Sequence, residues 1–187
     1  WNIVTTHLEN AARNFGQDQL TPHDERYAWA AEYVDVVYKL WEGSWDEGAL
    51  LIDRARGVFA DHNKIHKIHH VGPRYRVEGP HLSAPSPQRT PLLFQAGSSG
   101  AGRQFAAANA EGQFIVTPNP TVAAELIRDT RRLAVATGRR AEDIKFFQGL
   151  SFIIGSTEAE VRHKEAEYDA YASVDGFLAH HNYAVDR

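Results

Sequence analysis

The sequence predicts an α/β protein with a parallel sheet, on two observations. From Leu92 onward, strand-like and helix-like segments alternate at roughly 30-residue spacing, the rhythm of βαβ units. Before the first of these helices, the run Pro91-Leu-Leu-Phe-Gln-Ala-Gly-Ser-Ser-Gly-Ala-Gly-Arg-Gln-Phe105 passes from apolar through small residues into an Ala-rich helical pattern. A TIM barrel and a doubly wound sheet both fit this rhythm, and periodicity does not separate them.

Taken in order, Trp1-Asn-Ile-Val-Thr-Thr6 reads as an interior strand. A helix should start at Thr21-Pro-His-Asp24, with Thr21 as cap, Pro22 at the first helical position and Asp24 closing a capping box. It should run to about Trp41, because Tyr27, Ala30, Val34, Val37 and Trp41 form one apolar stripe at spacings of three and four. Residues 42–90 dissolve into turns, a His-rich stretch and the Pro/Ser cluster Ser83-Ala-Pro-Ser-Pro87, with Tyr75-Arg-Val77 as a short strand. A connection this long inside one domain reads as a functional insertion. Then follow strand Leu92 to Ala96, helix Gly102 to Ala110, strand Gln113 to Thr117, helix Thr121 to Ala136, strand Ile144 to Ile154, and helix Thr157 to Tyr171. Pro120 and Thr121 start the second of these helices and Gly138 ends it, while Thr157 and Glu160 form a capping box.

Chemistry in either fold gathers at the carboxyl ends of the strands, which places Thr5, Thr6, His7, Gln95, Gly97, Ser98, Ser99 and Thr117 on one rim. The glycines Gly97, Gly100 and Gly102 let backbone N–H groups approach a ligand, and Ser98 and Ser99 add hydroxyls where a helix begins. An anionic cofactor suits that loop. It is not a Walker A loop, because Arg103 stands where the Lys belongs and Gln104 where the Ser or Thr belongs. It is not a dinucleotide fingerprint either, because a third glycine counted from Gly100 falls at Phe105. The loop alone leaves open a tight turn that binds nothing, and Thr5 and Thr6 alone read equally as ordinary strand-end threonines.

With 187 residues, 43% of them hydrophobic, the chain can bury the core of a single domain. A formal charge of −4 argues against a general nucleic-acid or membrane-surface binder. No segment approaches the roughly 20 apolar residues of a spanning helix. The absence of cysteine excludes disulfides and thiolate metal sites and fits a cytoplasmic protein. No signal peptide is visible. Methionine is absent even at position 1, so the chain is expected to be part of a longer protein or to lack some of its residues.

Several segments together carry a family resemblance: Trp1-Asn-Ile-Val-Thr-Thr6, Glu9-Asn-Ala-Ala-Arg-Asn-Phe-Gly16, His23-Asp-Glu-Arg-Tyr27, Gly57-Val-Phe-Ala-Asp61 and Phe94-Gln-Ala-Gly-Ser-Ser99. In this order they resemble the nitrilotriacetate monooxygenase branch of the bacterial luciferase-like flavin monooxygenases, which also takes in the dibenzothiophene sulfone and pristinamycin-type enzymes. The resemblance implies a TIM (β/α)8 barrel, present here as an incomplete segment of roughly barrel strands 4 to 7, with residues 42–90 as an insertion in a single domain 1–187. It implies an FMN-dependent monooxygenase that uses reduced FMN and O2 on a small organic substrate. A separate NADH-dependent flavin reductase would supply the reduced flavin, and a homo-oligomer is expected.

The resemblance also assigns residues. Ala96, Gly97, Ser98 and Ser99 hold the flavin phosphate with His23 and Tyr27, and Asn2 and Thr5 line the ring. His23 and Tyr27 share a helix face four residues apart, and a phenol donor beside phosphate is reasonable chemistry. Without the resemblance, Tyr27 belongs to the apolar stripe and His23 is a capping residue. No catalytic side chain is assigned, because the cofactor carries the hard step. Relatives act on aminopolycarboxylates, sulfur heterocycles, alkanes and antibiotic precursors, so the substrate is not readable. Flavin contacts expected on earlier barrel strands cannot be placed, and Thr6 stands where the family's motif has Ser.

Other clusters read as structural. His62, His66 and His70 are spaced by four, with His69 adjacent, but neighbouring turn residues argue against a helical metal face, and no metal is expected there or at His180 and His181. Arg131, Arg132, Arg139 and Arg140 flank a helix carboxyl end and read as a solvated face. Besides the monooxygenase, two classes stay open: a barrel enzyme binding a phosphorylated metabolite without flavin, and a non-catalytic flavin-binding relative.

Overall fold

A four-stranded, all-parallel sheet in the order β1-β6-β7-β8 organises the molecule. The computed structural model describes residues 1–180. The strands are β1 (Asn2–Ile3), β6 (Phe94–Gln95), β7 (Gly112–Ile115) and β8 (Lys145–Gln148). Helix α1 (Glu9–Asn14) follows β1, and the long α2 (His23–Gly43) leads into the segment that precedes β6. Helices α3 (Gly100–Asn109) and α4 (Pro120–Ala136) make the next two crossovers, and α5 (Glu158–Tyr171) and α6 (Val174–His180) follow β8. Helix α6 lies where no element was expected, and His181 lies outside the described residues.

Strand residues alternate between two environments. Ile3, Leu93, Gln95, Gln113 and Ile115 are buried, whereas Phe114 and Phe147 remain 43% and 47% exposed. Phe94 and Phe147 stack at 5.2 Å on that second face, and Gly112 leaves the room that the Phe94 ring occupies. The helix-covered face holds two cores. Ile3, Val34, Leu93 and Phe105 pack with Tyr27, Ala30 and Tyr38, and Ala107, Ala134 and Ile144 pack with Leu133 and Phe146. Each large apolar side chain buried there contributes about 1.5–3 kcal/mol.

Several expected boundaries move. Pro22 is the N-cap of α2, not its first residue, because its φ of −50° and ψ of 146° keep it extended. Thr21 makes no cap; its carbonyl accepts from Arg26 Nη1 at 2.5 Å, and Asp24 pairs with His23 at 2.7 Å. Helix α4 is capped by Asn119, whose side chain accepts from Val122 N–H at 3.0 Å. The strand expected to reach Ile154 stops at Gln148, because its one ladder neighbour among the described residues, β7, ends at Ile115.

The segment 42–90 holds two antiparallel pairs, β2 (Leu50–Asp53) with β3 (Val58–Ala60) and β4 (His70–Val71) with β5 (Arg76–Val77). Glu32 of α2 latches the second pair. It accepts from the N–H groups of Tyr75 at 2.9 Å and Arg74 at 3.1 Å, and lies 3.2 Å from His70 Nε2. Lys39 and Asp35 face the other side of His70. Partial burial alone would raise the Glu32 pKa, but the hydrogen bonds from Tyr75, His70 and Arg74 outweigh it and hold the carboxyl below its usual range. A depressed carboxyl stabilises the fold above the ordinary carboxylate range and loses that contribution as pH falls through its own lowered value. Glu32→Gln should therefore melt a few degrees lower than wild type at neutral pH and match it in acid. Thermal unfolding followed at both pH values checks this, and equal melting at neutral pH would refute the latch.

Candidate functional site

The loop between β6 and α3 closes against α2 through its glycines. A methyl group on Gly102 would sit 2.9 Å from the Gly97 carbonyl and 2.9 Å from Tyr27 Oη. One on Gly97 would collide with Tyr27 Oη and Gln95 Nε2. Only hydrogen fits at these positions, so backbone and phenol meet directly. Ser99 caps α3, its side chain accepting from Gly102 N–H at 3.1 Å. As the first residues of the helix, Gly100 and Ala101 have N–H groups with no intrahelical acceptor, a partial positive charge suited to an oxyanion. Removing the Ser99 hydroxyl by Ser99→Ala should cost about 1 kcal/mol of stability, read in denaturant unfolding; no loss would show that the cap contributes nothing.

Beneath the loop lie two buried glutamines that are register partners on adjacent strands. Gln113 Nε2 donates to the Gly97 carbonyl at 2.9 Å, and Gln95 Nε2 lies 3.3 Å from Tyr27 Oη. Arg103 does not face the loop's ligand side as a free cation. It donates to the Ser98 carbonyl at 3.2 Å and pairs with Asp129 of α4 at 2.9 Å. Asp129 is held below the usual carboxylate range, mainly by the hydrogen bond from Arg132 and also by Arg103.

The expected site residues fall into two groups. His23 and Tyr27 stack at 5.1 Å, and Tyr27 touches Gly97, so these three meet at one place, with Ala96 and Ser98 exposed on the same loop. Ser98 also lines a cleft of about 520 Å³ with Arg103, Thr117 and Asp129. Asn2 and Thr5 line a different cleft, of about 660 Å³, whose far wall is Trp29, Tyr33 and Tyr75. Trp29 Nε1 donates to Tyr75 Oη at 2.7 Å, so the latched β4–β5 pair supplies part of that wall. Gln113 was missed from the sequence; the signal for it was a second glutamine inside an apolar strand, in step with Gln95. The histidine series separates: His66 pairs with Asp46 at 2.8 Å and His70 with Glu32, and among the described residues no three metal-ligating side chains converge. No described helix is long and apolar enough to cross a membrane.

A parallel sheet backed by α2, α3 and α4, with a small-residue loop at the carboxyl end of one strand, has the architecture of a segment of a βα barrel. The chain belongs to the luciferase-like monooxygenase family, whose profile matches residues 1–186. It is 49% identical to a dimethyl-sulfide monooxygenase of Hyphomicrobium sulfonivorans over 96% of this chain and 37% of that protein. The crystal structure of a long-chain alkane monooxygenase superposes with a TM-score of 0.91 at 42% identity, covering 100% of this chain and 43% of the other. That of a riboflavin lyase with modified FMN and riboflavin superposes with a TM-score of 0.83 at 42% identity, covering 89% and 37%. The chain thus spans about two-fifths of the length of these relatives. The exposed Phe114 and Phe147 lie on the sheet face opposite the helices, the interior face in such a barrel.

Proposed function

We propose that the intact protein is an FMN-dependent monooxygenase that oxygenates a small organic molecule with reduced FMN and O2, the reduced flavin coming from a separate NADH-dependent flavin reductase. The observation that carries this reading is the contact of Gly97 and Gly102 with the Tyr27 hydroxyl. It sets a phenol donor, a helix N-terminus and the Ser98 and Ser99 residues around one small-residue loop. That donor set fits a phosphate monoester, and the relative crystallised with modified FMN shares the fold.

In this reading Ala96, Gly97, Ser98 and Ser99 hold the flavin phosphate with His23 and Tyr27, and Asn2 and Thr5 line the ring. When bound, reduced flavin supplies the electrons that activate O2. The chain's own residues bind, orient and exclude water. Gln113 fixes the Gly97 carbonyl, Arg103 fixes the Ser98 carbonyl, and the aromatic wall of Trp29, Tyr33 and Tyr75 offers an apolar surface beside Asn2 and Thr5. The substrate is one small enough to share an apolar cleft with the ring.

The test is flavin binding and O2 uptake by the intact protein supplied with FMN, NADH and a flavin reductase. Expected are saturable FMN binding and an oxygenated product from a small organic substrate that is absent without the reductase. A folded intact protein that binds no FMN ends the proposal; tight binding of a sugar phosphate in its place would assign the loop to a phosphorylated metabolite.

A further inference from the structure

We propose that Gln95 sets the hydrogen-bond polarity of Tyr27: its amide occupies a lone pair of the phenol oxygen, so that the phenol proton is delivered to the ligand phosphate. Gln95 is then a positioning residue, acting through Tyr27, and the inference rests on the loop being a phosphate site.

A tyrosine hydroxyl offers one proton and two acceptor lone pairs. Whichever neighbour acts first decides what remains for a ligand. Gln95 is 3% exposed, ends β6, and carries Nε2 3.3 Å from Tyr27 Oη. In this orientation one amide N–H is paired and Oε1 has no partner among the described residues. Turned over, the amide would take the phenol proton on Oε1 and leave none for a ligand. The structure has the donating orientation, Gln95 Nε2 to Tyr27 Oη. Gln113, its neighbour in register, repeats the arrangement: Nε2 donates to the Gly97 carbonyl while its Oε1 has no partner among the described residues.

Both amides thus present N–H groups to the underside of the loop. The Tyr27 hydroxyl finds a donor in Gln95, and no described residue accepts its proton. Packing fixes this arrangement, since Gly97 lacks the Cβ that would push Gln95 Nε2 and Tyr27 Oη aside. The phenol is left with a proton to give, next to a loop suited to an oxyanion.

The test measures dissociation constants of FMN and riboflavin by flavin fluorescence, in the intact protein and in Tyr27→Phe, Gln95→Met, Gln95→Glu and the double variant Tyr27→Phe/Gln95→Met. Riboflavin lacks the phosphate and reports on the folded ring site alone. Tyr27→Phe should weaken FMN about tenfold, the cost of a hydrogen bond to a charged group, and leave riboflavin unchanged. Gln95→Met should weaken FMN about fivefold, again without riboflavin, and add nothing in the Tyr27→Phe background. Gln95→Glu, when ionised, accepts the phenol proton and repels the phosphate, so it should lose at least as much as Tyr27→Phe. It should recover as pH falls and the protonated carboxyl becomes a donor again. The proposal is overturned if Gln95→Met weakens both flavins alike, if its loss persists in the Tyr27→Phe background, or if Gln95→Glu shows no pH dependence. A wild-type protein that binds riboflavin as tightly as FMN removes the phosphate-site reading itself, and this inference with it.

Discussion

Gly97→Ala is expected to weaken FMN binding about a hundredfold, close to 2.7 kcal/mol, and to lower stability by about 1–3 kcal/mol. The added methyl meets Tyr27 Oη, Gln95 Nε2 and, at 3.2 Å, Gly102 Cα. None of these can retreat freely. Tyr27 is packed against Phe105 at 5.9 Å, Gln95 is buried, and Gly102 is backbone in the first turn of α3. The loop must therefore lift, which carries its N–H groups and Ser98 away from the phenol. Gly100→Ala is the matched control, because a methyl there meets nothing within 4 Å and its loop should stay in place. Titration calorimetry and thermal unfolding read both effects; a Gly97→Ala protein that binds FMN like Gly100→Ala would show that close approach is not what makes the site.

Arg139→Met should destabilise the fold by about 3 kcal/mol, more than any other single exposed or half-buried arginine here. Its guanidinium donates to the carbonyls of Ala107 and Ala110, both at 2.8 Å, and to that of Ala106 at 3.5 Å. All three alanines are fully buried. The Ala106 carbonyl also accepts from Ala110 N–H at 2.8 Å, but those of Ala107 and Ala110 would otherwise lack a donor among the described residues, and a cation also suits a helix carboxyl end. Methionine keeps the aliphatic volume and removes every donor. Denaturant unfolding checks the magnitude, with Arg131→Met as an exposed comparison of small effect. Equal losses in the two variants would reduce Arg139 to the solvated face expected from the sequence.

That difference illustrates what sequence patterns carry. Arg131, Arg132, Arg139 and Arg140 look alike as a cluster after an apolar helix, and three of them are indeed exposed. Arg139 is distinguished only because Gly138, at φ +86°, turns the chain back so that its side chain reaches a different helix from the one it follows. Capping signals were legible where they are local: Thr157 accepts from Glu160 N–H at 3.2 Å. The start of α2 shifted by one residue because Pro22 adopted an extended ψ, which its locked φ permits equally well. Strand length was the least legible feature, since apolar residues continue past Gln148 at Leu150, Phe152, Ile153 and Ile154, while pairing stops where β7 ends.

Sequence alone determined the parallel βαβ order, the small-residue loop at a strand's carboxyl end and the motif series of the family, because these depend on periodicity and on residue types at short spacing. Tertiary structure alone decided that Tyr27, 70 residues before Gly97, presses its hydroxyl against that loop, and that Gln95 and Gln113 support it from below. Such contacts come from the pairing of adjacent strands and the packing of α2 over them. No local pattern encodes which buried amide will face which phenol.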